Sequence, residues 1–377
     1  MFNIPITKPD LGEEEKYLVS QVIESGWVSQ GPKVAEFEEI FAHYVGSRYA
    51  VATTSCTTAL HAALSVSSIG PGDEVILPSL SFIATANSVL YCGAKPVFVD
   101  VDPETCNIDA AKIENAVTTK TRAIMPVHQM GMPADLDSIK AIAKKKNLLI
   151  IEDAACAIGS EYQNTKIGGY GNIACFSFHP RKIITTGEGG MITTDDRATA
   201  ERLRRFRHHG MSVSDIERHM ANTVIIETYP ELGYNYRMTD IQAAIGIEQM
   251  KKLPSILDAR KQRARIYDTD LGNIPPIRIP KVPSYARHNY QSYWIELLDS
   301  APVDRNTLMA KLLGKGIATR RGIMAIHREP CYGAYSGMHL PNTDKLTENT
   351  LLLPLYPALT AEEQTFIINS LKEILMR

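Results

Sequence analysis

The sequence has almost no excess charge. Its 40 lysines and arginines stand against 42 aspartates and glutamates, a net charge of −2. No broad basic field therefore draws the protein to nucleic acid or an anionic membrane, and any anion it binds must be held by a local site. Paired cysteines are also missing. The six present (Cys56, Cys92, Cys106, Cys156, Cys175 and Cys331) are scattered, with no Cys-x-x-Cys spacing. That suits free, mostly buried thiols in a reducing compartment, and no metal site is expected. The most apolar window, Val75 to Cys92, is broken by Pro78, several hydroxyl residues and Asn87, which excludes it as a membrane span. Met1-Phe2-Asn3-Ile4-Pro5 has no basic stretch and no long apolar run after it. A secretory signal is not expected, and the expected location is cytoplasmic. Internal repeats and low-complexity tracts are absent from the sequence.

What is present is an ordinary globular composition, 44% apolar and 22% charged over 377 residues, long enough for a large domain and a small one. Asp10 and Glu13 have the spacing of a capping box for a first helix that Gly26 ends. An amphipathic helix is expected over about Lys33 to Tyr44, with Val34, Phe37, Ile40 and Phe41 on one face. Short apolar runs then alternate with helical patterns such as Leu136–Lys146. The runs lie near Glu74–Leu77, Pro96–Val99, Ala123–Val127, Leu148–Glu152, Ile173–Phe178 and Met191–Thr194. This alternation predicts an α/β fold with a mostly parallel sheet covered on both faces. Beyond Asp195 the pattern changes. A basic helix (Ala198–His209), an irregular polar loop (Met211–Glu231) and a helix (Thr239–Lys251) precede a stretch rich in proline, Pro275 to Pro283. A strand near Tyr290–Leu297 and helices over Asp304–Lys315 and Ala361–Met376 then predict a smaller α+β unit. The expected division is a large domain over 1–250, N-terminal helix included, and a small one over 251–377.

Three polar groups sit where elements begin or end, and in open α/β sheets ligands bind beyond the carboxyl ends of the strands. Asp153 follows Leu149-Ile150-Ile151-Glu152 and can hold a protonated ring nitrogen, although Asp also serves simply as a helix cap. Lys182 follows Phe176-Ser177-Phe178-His179-Pro180-Arg181 and precedes Thr186-Gly187-Glu188-Gly189-Gly190. Taken into a pocket, its ammonium is destabilised and the free amine can form a Schiff base. Thr53 to Thr58 runs hydroxyls into an apolar helix, where free N–H groups suit a phosphate. Phe82 offers a flat face. Alone, Asp153 reads first as a helix cap, Lys182 as a surface lysine and Phe82 as a core aromatic, while the hydroxyl run reads equally as simple capping. Their joint order is what a pyridoxal-phosphate (PLP) site requires.

The sequence resembles the DegT/DnrJ/StrS family of PLP-dependent sugar aminotransferases, within the fold-type I PLP transferases of the aspartate aminotransferase superfamily. The resemblance rests on Gly70-Pro71-Gly72-Asp73-Glu74, Glu152-Asp153-Ala154-Ala155, Phe176-Ser177-Phe178-His179 with Lys182, Thr186-Gly187-Glu188-Gly189-Gly190, and Gly233-Tyr234-Asn235-Tyr236-Arg237-Met238. It implies that Lys182 carries the cofactor and shuttles the proton. Asp153 would pair with the pyridinium, Phe82 would stack on it, and Thr57, Thr58 and Ser177 would hold the phosphate. Asn235 would reach a neighbouring subunit's phosphate, making a homodimer with shared sites. Trp27, Ser29, His179, Arg181, Arg237, Arg320 and His327 would serve the sugar-nucleotide cleft, with Arg321 a further cation. Cys156 stands where many relatives have His or Gln near the ring oxygen, and a thiol is a weak partner there. The implied reaction takes an amino group from L-glutamate to the keto carbon, C4 by preference, of a nucleotide-linked 6-deoxy sugar. Its product would be a deoxyamino sugar for surface polysaccharide such as lipopolysaccharide. The rival readings are a sugar 3-dehydratase, disfavoured because relatives of that kind carry histidine at the lysine position, and a non-catalytic regulator or binding module of the same fold.

Overall fold

The computed structural model describes residues 3–214, 217–218 and 221–376. Helix α1 (Glu13–Ser25) ends at Gly26, whose φ of 75° is left-handed, the backbone state glycine adopts at least cost. Its N-cap is Gly12, whose N–H donates to Glu15 Oε2 at 2.7 Å, so the capping box starts two residues later than Asp10. Helix α2 (Pro32–Val45) opens on a proline. Asp240, from far along the chain, accepts the N–H groups of Gly31, Lys33 and Val34 at 2.7, 3.0 and 3.0 Å. That cap contributes about 1 kcal/mol or more. The apolar face of α2 buries Phe37 and Phe41 against Phe176 and Phe178, with Phe41 and Phe176 edge-to-face at 5.0 Å. Such pairs add about 0.5–1.5 kcal/mol beyond their buried area.

The principal sheet holds β1 (Tyr49–Thr53), β2 (Glu74–Pro78), β3 (Lys95–Val99), β4 (Thr121–Ile124), β5 (Leu149–Asp153), β8 (Ile173–Ser177) and β9 (Gly190–Thr194), in the order β1-β9-β8-β5-β4-β2-β3. Its pairs are parallel except the two made by β9, which runs against β1 and β8. Two short strands, β6 (Glu161–Tyr162) and β7 (Thr165–Lys166), join β11 (Ala286–Arg287) in a separate ribbon. Helices α3 (Cys56–Val66), α4 (Ala84–Tyr91), α5 (Ala110–Ala116), α6 (Leu136–Lys146) and α7 (Arg197–Phe206) cover the principal sheet together with α2. The expected strands and α6 are present. Strand β1 is an addition. Tyr49, Val51 and Thr53 favour a strand, the two alanines between them do not, and full register with β9 holds all five.

Helix α8 (Asp240–Leu271) corrects the expectation of a helix ending at Lys251. It runs unbroken through Pro254 and across positions 250 and 251, although an interior proline removes a hydrogen bond and crowds the preceding turn. Packing at both ends holds it. Ile247, Met250, Leu253 and Ile256 lie in the core of the principal sheet, while Ala264, Tyr267 and Leu271 lie in that of the second sheet. The second sheet, ordered β10 (Ile277–Arg278), β12 (Tyr293–Leu297), β14 (Thr350–Leu353) and β13 (Arg320–Arg321), is antiparallel. Helices α9 (Arg305–Gly314), α10 (Pro341–Asn349) and α11 (Ala361–Leu375) accompany it. Ile4, near the start of the chain, bridges to Ile317 and joins this second core. The loop expected over Met211–Glu231 is irregular over 211–214 and 221–231 and helical at 217–218, with Val224 and Ile226 exposed. Asp215, Ile216, His219 and Met220 within it lie outside the described residues.

Candidate active site

A cavity of about 570 Å³ opens where the parallel strands end, between the principal sheet and the second one. Its floor is the carboxyl end of β5. Asp153 is 5% exposed. Its Oδ2 accepts from Thr85 Oγ1 at 2.7 Å and its Oδ1 from the Ala155 N–H at 3.2 Å. A carboxylate offers about four acceptor positions, so one more donor can be taken from the cavity side.

Lys182 lies on the turn after β8, where its N–H donates to the His179 carbonyl at 2.8 Å. Its Nζ reaches down the wall and donates to Cys156 Sγ at 3.1 Å. Burial alone pushes this amine below its ordinary range. Its contact with Cys156 and the nearby Asp153 carboxylate act the other way, and the net direction is upward. The expected destabilisation of the ammonium by burial is therefore reversed here. Cys156 is fixed in turn, because its carbonyl accepts from Asn289 Nδ2 at 2.8 Å.

Ser55, Cys56 and Thr57 line the cavity at the N-terminus of α3. The first-turn N–H groups of a helix have no intrahelical acceptor and favour an anion. Ser177, at the end of β8, lines the same corner. Gly190 lies behind this cup, and a Cβ there would stand 2.4 Å from the Ser55 carbonyl. Thr58 is different. Its hydroxyl takes the Ser55 N–H at 3.0 Å and donates to the Ser55 carbonyl at 2.8 Å, closing a capping box whose N-cap is Ser55, and Ser55, not Thr58, lines the cavity. Cys56 Sγ turns inward to the Cys175 carbonyl, and burial pushes its thiol well above the ordinary range.

Phe82 is 59% exposed and lines the cavity from the turn after β2. His179, Arg181 and Arg320 also line it, as does Arg321. Burial lowers the His179 pKa, helped by Arg181 and Lys182 and opposed by Glu188. The donor set fits pyridoxal phosphate: an anion cup, an amine, an exposed ring face and a buried carboxylate with capacity to spare meet in one cavity.

Other expected residues lie elsewhere in the single chain. Trp27 covers Gly31 and donates from Nε1 to the Gln30 carbonyl at 3.0 Å. Ser29 is exposed, and its carbonyl takes the Asp240 N–H. Asn235 is exposed in a bridge with His208, and Arg237 Nη1 lies 2.8 Å from His208 Nδ1. His327 is 1% exposed, with Nδ1 2.7 Å from Ser79 Oγ and Nε2 3.3 Å from Asp344. It joins the second sheet to the end of β2 instead of facing the cavity. Sequence reasoning missed Thr85, Ser81, Gln129 and Asn289. Thr85 belongs to the same segment as Phe82, and that proximity was the available signal. Gln129 Nε2 donates to the Leu80 carbonyl, a contact with no sequence trace.

Comparison with known proteins agrees with this geometry. The chain is 40% identical over 375 residues to the GDP-perosamine synthase of Caulobacter vibrioides, covering 99% of this chain and 98% of that one. It is 39% identical over 376 residues to the spore coat polysaccharide biosynthesis protein SpsC of Bacillus subtilis, covering 98% and 97%. The protein Spr1654 of Streptococcus pneumoniae, solved in its pyridoxamine-phosphate form, superimposes with a TM-score of 0.93 at 29% identity over 99% of each chain. The fold is that of the fold-type I PLP-dependent aminotransferases. Residues 9–372 match the sequence profile of one family, and the chain belongs to it: the DegT/DnrJ/EryC1/StrS aminotransferases.

Proposed function

We propose that the protein moves an amino group from L-glutamate to the keto carbon, C4, of a nucleotide-linked keto-6-deoxy sugar, leaving 2-oxoglutarate and a deoxyamino sugar nucleotide. The observation that carries this reading is the meeting of Lys182 Nζ, Cys156 Sγ and the buried Asp153 carboxylate in one cavity. Family membership and the relatives described above support the sugar substrate. The cofactor is PLP, and when bound it supplies an electron sink that makes the Cα proton of the donor acidic.

The chain's own residues do the rest. Asp153 holds the ring nitrogen's proton in place from the floor. Ser55, Thr57 and Ser177 hold the phosphate with the first-turn N–H groups of α3. Phe82 supports the ring from its open face. Lys182 is the residue that would hold the cofactor covalently, and its amine would carry a proton away from the donor's Cα and deliver one to the sugar carbon. One positioned amine serves both directions. Arg181 and Arg320 stand on the rim, where guanidinium groups suit the diphosphate of a sugar nucleotide. In this reading the protein works as a homodimer in which Asn235 completes the partner's phosphate site, and its product feeds a surface polysaccharide.

A panel of UDP-, dTDP- and GDP-linked keto sugars, incubated with glutamate and PLP, tests the proposal. Formation of 2-oxoglutarate with one of them, together with an aminated product, is the expected result. Turnover with ordinary 2-oxo acids alone would contradict it.

A further inference from the structure

We propose that Thr85 is a positioning residue that fixes the orientation and charge of Asp153, with Ser81 as the donor behind it, so that a buried hydroxyl relay sets how firmly the floor carboxylate holds the cofactor ring. The inference rests on the reading of Asp153 as partner of the ring nitrogen.

The direction of the relay follows from the chemistry of its members. An ionised carboxylate only accepts hydrogen bonds, so the 2.7 Å contact makes Thr85 Oγ1 the donor to Asp153 Oδ2. A hydroxyl has one proton. Thr85 must therefore accept in its other 2.7 Å contact, and Ser81 Oγ donates. The order is Ser81 to Thr85 to Asp153. Thr85 is fully buried and Ser81 is 1% exposed, so bulk water does not compete for these protons. In such surroundings successive hydrogen bonds polarise one another, and those ending on a charge are the strong ones.

The Ala155 N–H holds the other oxygen, Oδ1, at 3.2 Å. With both oxygens anchored the plane of the carboxylate is set, and its free acceptor positions are left for the cavity. Phe82 lies between Ser81 and Thr85 in sequence and lines that cavity. One short segment thus supplies both the ring's stacking face and the orientation of its charge partner. Ser81 is itself placed from the second sheet side, since its N–H donates to the Met324 carbonyl at 3.2 Å. A packing role for Thr85 would need only its shape, which valine reproduces.

The test compares T85V, T85S and S81A with the wild-type PLP-loaded protein and with D153N as a benchmark. The readouts are the absorbance spectrum of bound PLP, the PLP dissociation constant, and kcat and KM in the half-reaction with glutamate. T85V should move the band toward that of D153N, weaken PLP retention and lower kcat by about 10- to 100-fold, the usual worth of a hydrogen bond to a charge. The KM for glutamate should stay within about threefold. T85S should restore the wild-type spectrum, and S81A should shift the band in the same direction by less. A T85V protein that matches wild type while T85S is impaired would overturn the relay in favour of packing. If T85V does not fold, an S81A spectrum identical to wild type overturns it instead. Failure of the parent reading looks different: wild type would show no cofactor band, or D153N would leave that band unchanged.

Discussion

At the floor of the cleft, Asp153, Thr85 and Ser81 are buried, the two hydroxyl contacts that link them are each 2.7 Å, and every member comes from one chain. At the rim, Arg181 and Arg320 are exposed, and Asn235, Ser29 and Trp27 do not line the cavity of the single chain. Catalytic power comes from groups fixed before the substrate arrives, because they need no reorganisation during reaction. Substrate choice comes from groups that engage as the substrate binds. On the proposed function, a preorganised floor under an open rim divides chemistry from selectivity, and mutation can break that division.

The largest effect belongs to the floor. Lys182→Ala should lower turnover by about 10^4-fold or more, since on the proposed function it removes the covalent anchor and the proton carrier together; steady-state assay of 2-oxoglutarate checks this. Asp153→Asn comes next, with a loss of about 10^2- to 10^3-fold in kcat and an unchanged fold by circular dichroism. At the rim, Arg320→Ala should raise the KM for the sugar nucleotide about tenfold with kcat nearly constant. An equal fall in kcat would move Arg320 from the rim to the chemistry. Asn235→Ala should have the smallest effect, a few-fold to about tenfold loss of PLP retention measured by dialysis. Mixed dimers of the Lys182 and Asn235 variants should recover activity. Their failure to complement would remove the shared site from the account.

The floor was also the more legible part of the molecule. Asp153 and Lys182 follow apolar strands, and their place at strand ends follows from the βα alternation. Strands β2 to β5, β8 and β9 were readable for the same reason. Strand β1 was passed over although Tyr49, Val51 and Thr53 favour a strand, since Ala50 and Ala52 interrupt them and its partner β9 lies far along the chain. Helix α8 continues through Pro254 beyond the expected end at Lys251, and the packing of Tyr267 and Leu271 that carries it on is tertiary. Asn289 holds Cys156 across 133 residues, a distance over which no local pattern runs. His327 looked like a rim cation because histidine suits phosphate. Ser79 and Asp344 take both its ring nitrogens instead.

The central claim is that the amine of Lys182 is the cofactor's anchor. Borohydride reduction of the PLP-loaded protein, followed by proteolysis and mass spectrometry, tests it most directly. The account predicts a single phosphopyridoxyl adduct on the peptide containing Lys182, lost when glutamate is added before reduction. An adduct on another lysine, or a Lys182 peptide that stays unmodified in a yellow protein, would contradict it.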